Sequence, residues 1–154
     1  MDFRAAVLLL PAVSLLHILE EWPRFPRWAR RFASDRYTDR EYLIVHAASL
    51  ITAFASGVAL SRFPEPWLLF ALAALVIGPG MFWNSFFHLG ATLTSRRYCA
   101  GVLTGLVLYL PLCVLLARQA VREDLISPPL LAAAGVLALL VHVIEVGHNV
   151  FKRW

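Results

Sequence analysis

Long apolar runs, separated by short polar segments that carry arginine, dominate the pattern along this chain. A helix needs about 20 apolar residues to cross the hydrocarbon core of a bilayer, and five runs approach or reach that length. The runs predict spans at residues 3–19, 42–60, 67–89, 100–117 and 129–150. Because backbone polar groups must be paired within lipid, we expect an all-α integral membrane bundle of about five transmembrane helices, forming one domain over residues 1–154.

The first polar connection, residues 20–41, has a pattern of its own. Its arginines alternate with Trp22, Trp28, Phe32 and Tyr37. This mixture predicts an amphipathic helix that lies in the membrane interface. The alternative is a solvated loop whose arginines serve only to orient the spans.

Basic residues divide unequally between the two sides of the predicted five-span arrangement. Four of the 14 fall on the side that holds the N-terminus, and the other ten fall on the side of the first connection and the C-terminus. The positive-inside rule therefore predicts an outside N-terminus and a cytoplasmic C-terminus. We expect the protein in a membrane of the bacterial inner or plasma type.

Composition agrees with a membrane protein and narrows the classes of partner. The chain is 60% hydrophobic and 16% charged, whereas soluble domains carry about 25% charged residues. The net charge of +4 is explained by interfacial arginines, so we expect no nucleic-acid partner.

Cys99 and Cys113 lack ligand-like spacing and are expected to be packing thiols. Pro79, between two glycines, predicts a kink in the third span.

Every histidine of the chain lies near the cytoplasmic end of a predicted span, and the fourth span contributes none. Ionisable groups at membrane depth are costly, and they usually face the bundle interior and carry a function. Two of the histidines stand three residues before a glutamate, which places both side chains on one helical face. The polar set comprises His17, Glu20, Glu21, His46, Asn84, His88, His142, Glu145, His148 and Asn149.

Metal binding is the chemistry that this polar set favours. Imidazole and carboxylate suit Zn, Fe and Mn, and helical bundles build two-metal sites from Glu-x-x-His steps; here the step is reversed and occurs twice. We expect two divalent metal ions, Fe or Zn, with His17, Glu20, His46, His88, His142, Glu145 and His148 as ligands. Asn84 and Asn149 would hydrogen-bond the ligating imidazoles.

Glu21 has a separate expected role. Adjacent helical residues point about 100° apart, so Glu20 and Glu21 can hardly ligate the same ion. Glu21 is therefore our candidate catalytic acid or base, with a further ligand as the alternative. Two other interpretations of the whole set stay open: a proton relay, and structural hydrogen bonding.

These residues predict a membrane metalloenzyme that acts on a lipid or isoprenoid-like substrate at headgroup level. Di-iron oxidation is favoured over zinc-dependent hydrolysis, by analogy with bundle di-iron sites. A metal or proton carrier is the alternative from another class, although five helices without a repeat are few for alternating access. A structural or assembly factor is the third. Expected partners are membrane lipids and a lipid-soluble small molecule, and a homo-oligomer is left open.

Three short motifs occur in order along the chain. His17 opens H-x-x-E-E, Asn84 opens N-x-x-x-H, and Tyr98 opens Tyr-Cys-Ala-Gly. The chain resembles the HXXEE-domain family of small membrane proteins, which is marked by the first two motifs and by a following Y-x-P-G, where this sequence has Ala100 in place of proline. The function of that family is unknown, so the resemblance supports the location of the site and implies nothing about the reaction.

Overall fold

The computed structural model describes residues 1–152 and shows an all-helical membrane protein. Five of its helices are long and apolar enough to cross a membrane, which confirms the five predicted spans. The sixth, α2, is a short helix of nine residues. In chain order the helices are α1 (Phe3–Glu21), α2 (Arg24–Phe32), α3 (Asp39–Arg62), α4 (Pro66–Ser95), α5 (Val102–Arg122) and α6 (Pro128–Asn149).

The observed helices begin and end at polar residues that hydropathy alone leaves out. Helix α1 continues two residues past its apolar run and so includes Glu20 and Glu21. Helix α3 begins early because Thr38 and Glu41 form a reciprocal capping box, which satisfies two backbone N–H groups of its first turn. Helix α5 begins at Val102, after a turn in which Gly101 has a φ of 103°.

The predicted amphipathic element is a helix, α2, and not a loop. Its inner face buries Phe25, Trp28 and Ala29, while Arg24 and Arg27 are exposed. The Phe25 ring lies 5.3 Å from the His88 ring and 6.3 Å from the Tyr42 ring, centroid to centroid. Helix α2 therefore covers one end of the bundle with aromatic side chains, and we call this the α2 end.

The kink predicted at Pro79 takes the form of a π-helical stretch, Ala73–Trp83, within α4. Proline has no backbone N–H and its ring crowds the preceding turn, so a wider turn accommodates it. A Cβ on Gly78 would lie 2.5 Å from the Ala138 Cβ. Glycine at that position therefore allows α4 to pack closely against α6.

The helices pack unevenly around the bundle. Helix α1 lies between α3 and α5, and α4 packs along α5 and most extensively along α6. Helices α3 and α6 flank a cleft whose floor is formed by α4 and α1. Away from the α2 end, the interior is mainly an apolar cluster that includes Phe3, Leu10 and Leu60, and no buried histidine or carboxylate of the described residues lies among them. The polar side chains thus collect in the half of the bundle nearer to α2.

Candidate metal centre

The carboxylate of Glu21, the last residue of α1, lies among three imidazoles from three helices. Its Oε1 is 2.9 Å from His88 Nε2 and 3.5 Å from His17 Nε2. Its Oε2 is 2.7 Å from His46 Nε2. The Glu21 side chain is only 2% exposed. We call these four residues, His17, Glu21, His46 and His88, the histidine centre.

The orientation of His46 is set by its own helix. Its Nδ1 lies 2.8 Å from the Tyr42 carbonyl oxygen, one turn earlier in α3. Because a carbonyl only accepts, Nδ1 carries a proton. Its Nε2 lies 2.7 Å from Glu21 Oε2, a distance at which a proton, on Nε2 or on the carboxylate, lies between the two atoms. The Tyr42 hydroxyl, 3.1 Å from Glu21 Oε2, donates to the same carboxylate.

The orientation of His17 is set by α5. Its Nδ1 is 2.7 Å from Thr104 Oγ1, and that hydroxyl is 2.5 Å from Glu20 Oε2. Because a carboxylate only accepts, the Thr104 hydroxyl donates to Glu20, and its oxygen accepts the proton of His17 Nδ1. The lone pair of His17 is therefore on Nε2, which faces Glu21 and accepts from Asn84 Nδ2 at 3.1 Å.

His88 completes the centre from α4 and is held between a thiol and a glycine. Its Nδ1 lies 3.4 Å from Cys99 Sγ, and burial, followed by the nearby glutamates, raises the pKa of that thiol. A Cβ on Gly101 would lie 2.6 Å from His88 Cε1. Gly101 thus meets two requirements at once, a positive φ and room for the His88 ring.

Glu20 lies outside the histidine centre and caps the N-terminus of α5. Its carboxylate accepts from the backbone N–H groups of Gly101 at 2.8 Å, Leu103 at 3.2 Å and Thr104 at 2.7 Å. It also accepts from the Tyr98 hydroxyl. A carboxylate at a helix N-terminus satisfies unpaired donors and complements the helix dipole. We call this set of donors the Glu20 socket.

The polar residues of α6 stand apart from the histidine centre. His142, Glu145 and Asn149 line the cleft, while His148 is on an exposed face of the last turn. Within residues 1–152, the group with ligand atoms within 4.8 Å of one another is His17, Glu21 and His88. The structure thus gathers His17, His88 and Glu21 within that distance, adds His46 through its contact with Glu21, and adds none of the α6 residues to them.

Thr104 and Tyr42 contact this site, and the sequence reading missed both. Thr104 lies in the fourth predicted span, which contains no histidine or carboxylate to draw attention to it. Tyr42 stands four residues before His46, one helical turn away, so spacing alone could have placed the two on one face. The stacked rings of Tyr42 and His46, with centroids 3.8 Å apart, confirm that arrangement.

The cleft leads from the flank of the bundle to the histidine centre. It has a volume of about 470 Å³, within the usual range for ligand pockets, about 300–1,000 Å³. On the α2 end the centre is closed by aromatic rings, because Phe25 and Phe87 both pack on His88. The centre is therefore reached from between α3 and α6.

Comparisons with known proteins identify a family for this chain, but the matched proteins have no described reaction. A family model described as "Protein of unknown function with HXXEE motif" matches residues 8–116, which contain all three motifs. An uncharacterized protein of Bacillus subtilis (strain 168), YrkK, is 28% identical over 149 residues, 88% of this chain and 90% of that protein. No solved structure matches the chain.

Proposed function

The chain belongs to the family of proteins with the HXXEE motif, and we propose that it is a membrane enzyme that uses a metal ion held by His17, His46 and His88. Glu21 would act beside the ion as acid or base, on a lipid-soluble substrate that enters through the cleft. The observation that carries this proposal is the convergence of three imidazole Nε2 atoms on one buried carboxylate.

The hydrogen bonds at the far side of the rings support metal binding. Metal-ligating histidines usually donate their other N–H to a carbonyl or carboxylate, which fixes the ring and its tautomer. His46 donates to the Tyr42 carbonyl, and His17 is linked through Thr104 to Glu20. Both rings present Nε2 to the Glu21 carboxylate, His17 towards Oε1 and His46 towards Oε2, and we propose that a metal ion uses these two nitrogens.

The donor set favours one zinc ion over the two-ion centre expected from the sequence. Glu20 is saturated by α5, and the α6 residues are not gathered with the others, so ligands for a second ion are lacking within residues 1–152. Catalytic zinc commonly has three protein ligands and an open position for water. A carboxylate within reach of that water can accept its proton, so hydrolysis is the reaction class that we propose. Iron, with Glu21 as a fourth ligand, is the second candidate.

A proton carrier is the competing function, and one contact favours it. Glu21 and His46 are 2.7 Å apart and would form an ion pair if His46 were protonated on both nitrogens. A carrier also needs a polar path across the membrane. The opposite half of the bundle is mainly apolar, and the buried histidines and the buried glutamate of the described residues all lie in the half nearer to α2, so the metalloenzyme accounts for more of the structure.

We also propose the orientation that the basic residues indicate. The α2 end carries the exposed arginines Arg24, Arg27 and Arg31, so it would face the cytoplasm by the positive-inside rule. The histidine centre would then lie near the headgroups of the cytoplasmic leaflet. Reporter fusions at the two ends should report opposite sides, with the C-terminus inside.

Metal analysis of the full-length protein tests the proposal most directly. Protein purified in detergent without chelator should contain about one transition-metal ion per chain, the stoichiometry expected of a single catalytic zinc site. His46→Ala, which alters a half-buried ring, should remove the metal while the helical spectrum persists. His148→Ala serves as the matched control and should retain it. A wild-type protein that neither carries nor takes up Zn, Fe or Mn would leave the proton carrier as the better account.

Glu21→Gln separates catalysis from metal binding. The amide keeps the shape of the side chain but cannot accept a proton, so the variant should retain metal and lose roughly a hundredfold or more of its turnover. Hydrolysis of a panel of long-chain esters in mixed micelles measures this. If Glu21→Gln loses the metal together with the activity, Glu21 is a ligand and the iron alternative is preferred.

A further inference from the structure

Helix α6 contributes to the wall of the cleft two residues whose acceptor atoms have no partner among residues 1–152, and the histidine centre uses neither residue. His142 and Glu145 are one helical turn apart and both line the cleft. The two residues, like Asn149, belong to the polar set that the sequence singled out. Their place in the fold calls for a role other than that of a ligand in the histidine centre.

His142 is a buried ring with one partner. Its ring interacts with the Pro79 carbonyl, whereas its Nε2 is buried without a partner in the described chain. Because a carbonyl only accepts, this interaction favours a proton on Nδ1 and leaves the lone pair on Nε2. Buried polar atoms are nearly always hydrogen-bonded. This atom therefore calls for a donor, and an acceptor cannot satisfy it.

Glu145 calls for a donor as well, and for a positive charge. It lies in the membrane-spanning part of α6, and no side chain of residues 1–152 pairs with it. A carboxylate at membrane depth is costly unless a cation offsets it. A carboxylate and an imidazole lone pair one turn apart on the same face are together suited to an ammonium group, which has several N–H donors and no acceptor.

We propose that the cleft binds an amphiphile made of an apolar chain and a protonated amine, with the amine between Glu145 and His142. The walls support the chain part: Ile44 and Val45 of α3, Val76 of α4 and Val146 of α6 all line the cleft. A volume of about 470 Å³ has room for the head and part of a chain.

That this amphiphile is the substrate rests on the proposed function, because the same cleft reaches Glu21 and His46. The ligand class itself does not depend on the metal. The amine could come from a free long-chain amine or from an ethanolamine lipid of the bilayer. Both share the chemistry that α6 recognises.

Binding of radiolabelled hexadecylamine to the full-length protein in phosphatidylcholine nanodiscs tests the proposal. Wild-type protein should bind the amine saturably, above the level of empty discs. Hexadecanoate, which has the same chain and the opposite charge, should not compete. Glu145→Gln should weaken binding roughly tenfold or more, the usual loss for a charge-assisted hydrogen bond, and His142→Phe should weaken it less.

Glu65→Gln is the matched control, because Glu65 is an exposed carboxylate at the opposite end of the bundle. It should bind as wild type does. Discs with phosphatidylethanolamine distinguish the two sources: competition by that lipid identifies the bilayer amine, and unchanged binding identifies a free one. The proposal is overturned if Glu145→Gln binds as wild type while its melting temperature is unchanged, or if hexadecanoate competes equally.

The same measurements are repeated on protein stripped by a chelator, with metal content assayed separately. Amine binding that survives stripping supports the ligand class even where the protein proves to hold no metal. A protein that holds zinc but shows no difference between wild type and Glu145→Gln keeps the proposed function and loses this inference.

Discussion

Glu20 and Glu21 are adjacent in α1, yet the Glu20 socket and the histidine centre surround these two carboxylates with different kinds of group. Glu20 is surrounded by backbone N–H groups and hydroxyls of the turn that starts α5. Glu21 is surrounded mainly by imidazoles, whose nitrogens can exchange a proton for a metal ion. The chemistry of the donors, and not the charge of the residue, distinguishes the carboxylate that caps a helix from the one that faces the imidazoles.

A hydroxyl connects the two regions by hydrogen bonds. Thr104 donates to Glu20 and accepts from His17, so this side chain links the first turn of α5 to the histidine centre. This link makes the comparison testable, because stability, metal affinity and proton affinity should each respond to a different residue.

The largest effect is expected for Glu20→Ala, on stability. Several N–H groups at the start of α5 would lose their acceptor, so the free energy of unfolding should fall by roughly 3 kcal/mol. Thermal unfolding in detergent, followed by circular dichroism, measures the loss. Glu65→Ala is the control, because Glu65 precedes α4 without a side-chain capping bond. Equal stability of Glu20→Ala and wild type would show that the socket does not hold the turn.

The second-largest effect is expected for Thr104→Val, on the affinity for the metal. Valine keeps the shape but breaks the link to His17, which frees the ring to adopt the other tautomer. Loss of such a supporting hydrogen bond commonly lowers metal affinity about ten- to a hundredfold, and competition with a chromophoric chelator measures it. Thr104→Ser should restore affinity, and Thr94→Val, which alters an exposed threonine of α4, should leave it unchanged.

The smallest effect is expected at Tyr98, which is half exposed. Burial, followed by the bond to Glu20, raises the pKa of its phenol to about 12 from 10.0. The raised pKa favours the protonated form in the folded protein, so the stabilisation is present below about pH 10 and is lost as the pH rises towards 12. Difference absorbance of wild type against Tyr98→Phe should show the phenol ionising near pH 12. In Glu20→Gln it should ionise closer to pH 10, and identical curves would separate Tyr98 from the socket.

The transmembrane helices could be predicted from the sequence because the thickness of the bilayer sets the length of each apolar run. Apolar runs of about 20 residues identify spans without knowledge of their neighbours, and alternating arginines and aromatics indicated α2. The observed helix ends differ from the predicted ones wherever a polar contact extends a helix, as at Thr38 before α3. Such contacts depend on individual side chains that a hydropathy average does not resolve.

The sequence could predict the depth of the site along the bundle, but not the direction in which each side chain points. Hydropathy placed His17, His46 and His88 at one level, and the structure brings them together around one carboxylate. The parts expected of Glu20 and Glu21 depended on what would face each of them. That was decided by α5, whose first turn lies about 80 residues further along the chain and carries no ionisable group to mark it.

By itself, the sequence determined that this is a five-span membrane protein with its histidines at one end, because transfer into lipid is a property of each segment alone. Only the tertiary structure decided which carboxylate meets the imidazoles and which caps a helix. The same holds for the placing of His142 and Glu145 in a cleft and not at the histidine centre. These outcomes depend on the rotation of each helix and on the packing of its neighbours, and neither is encoded in any one segment.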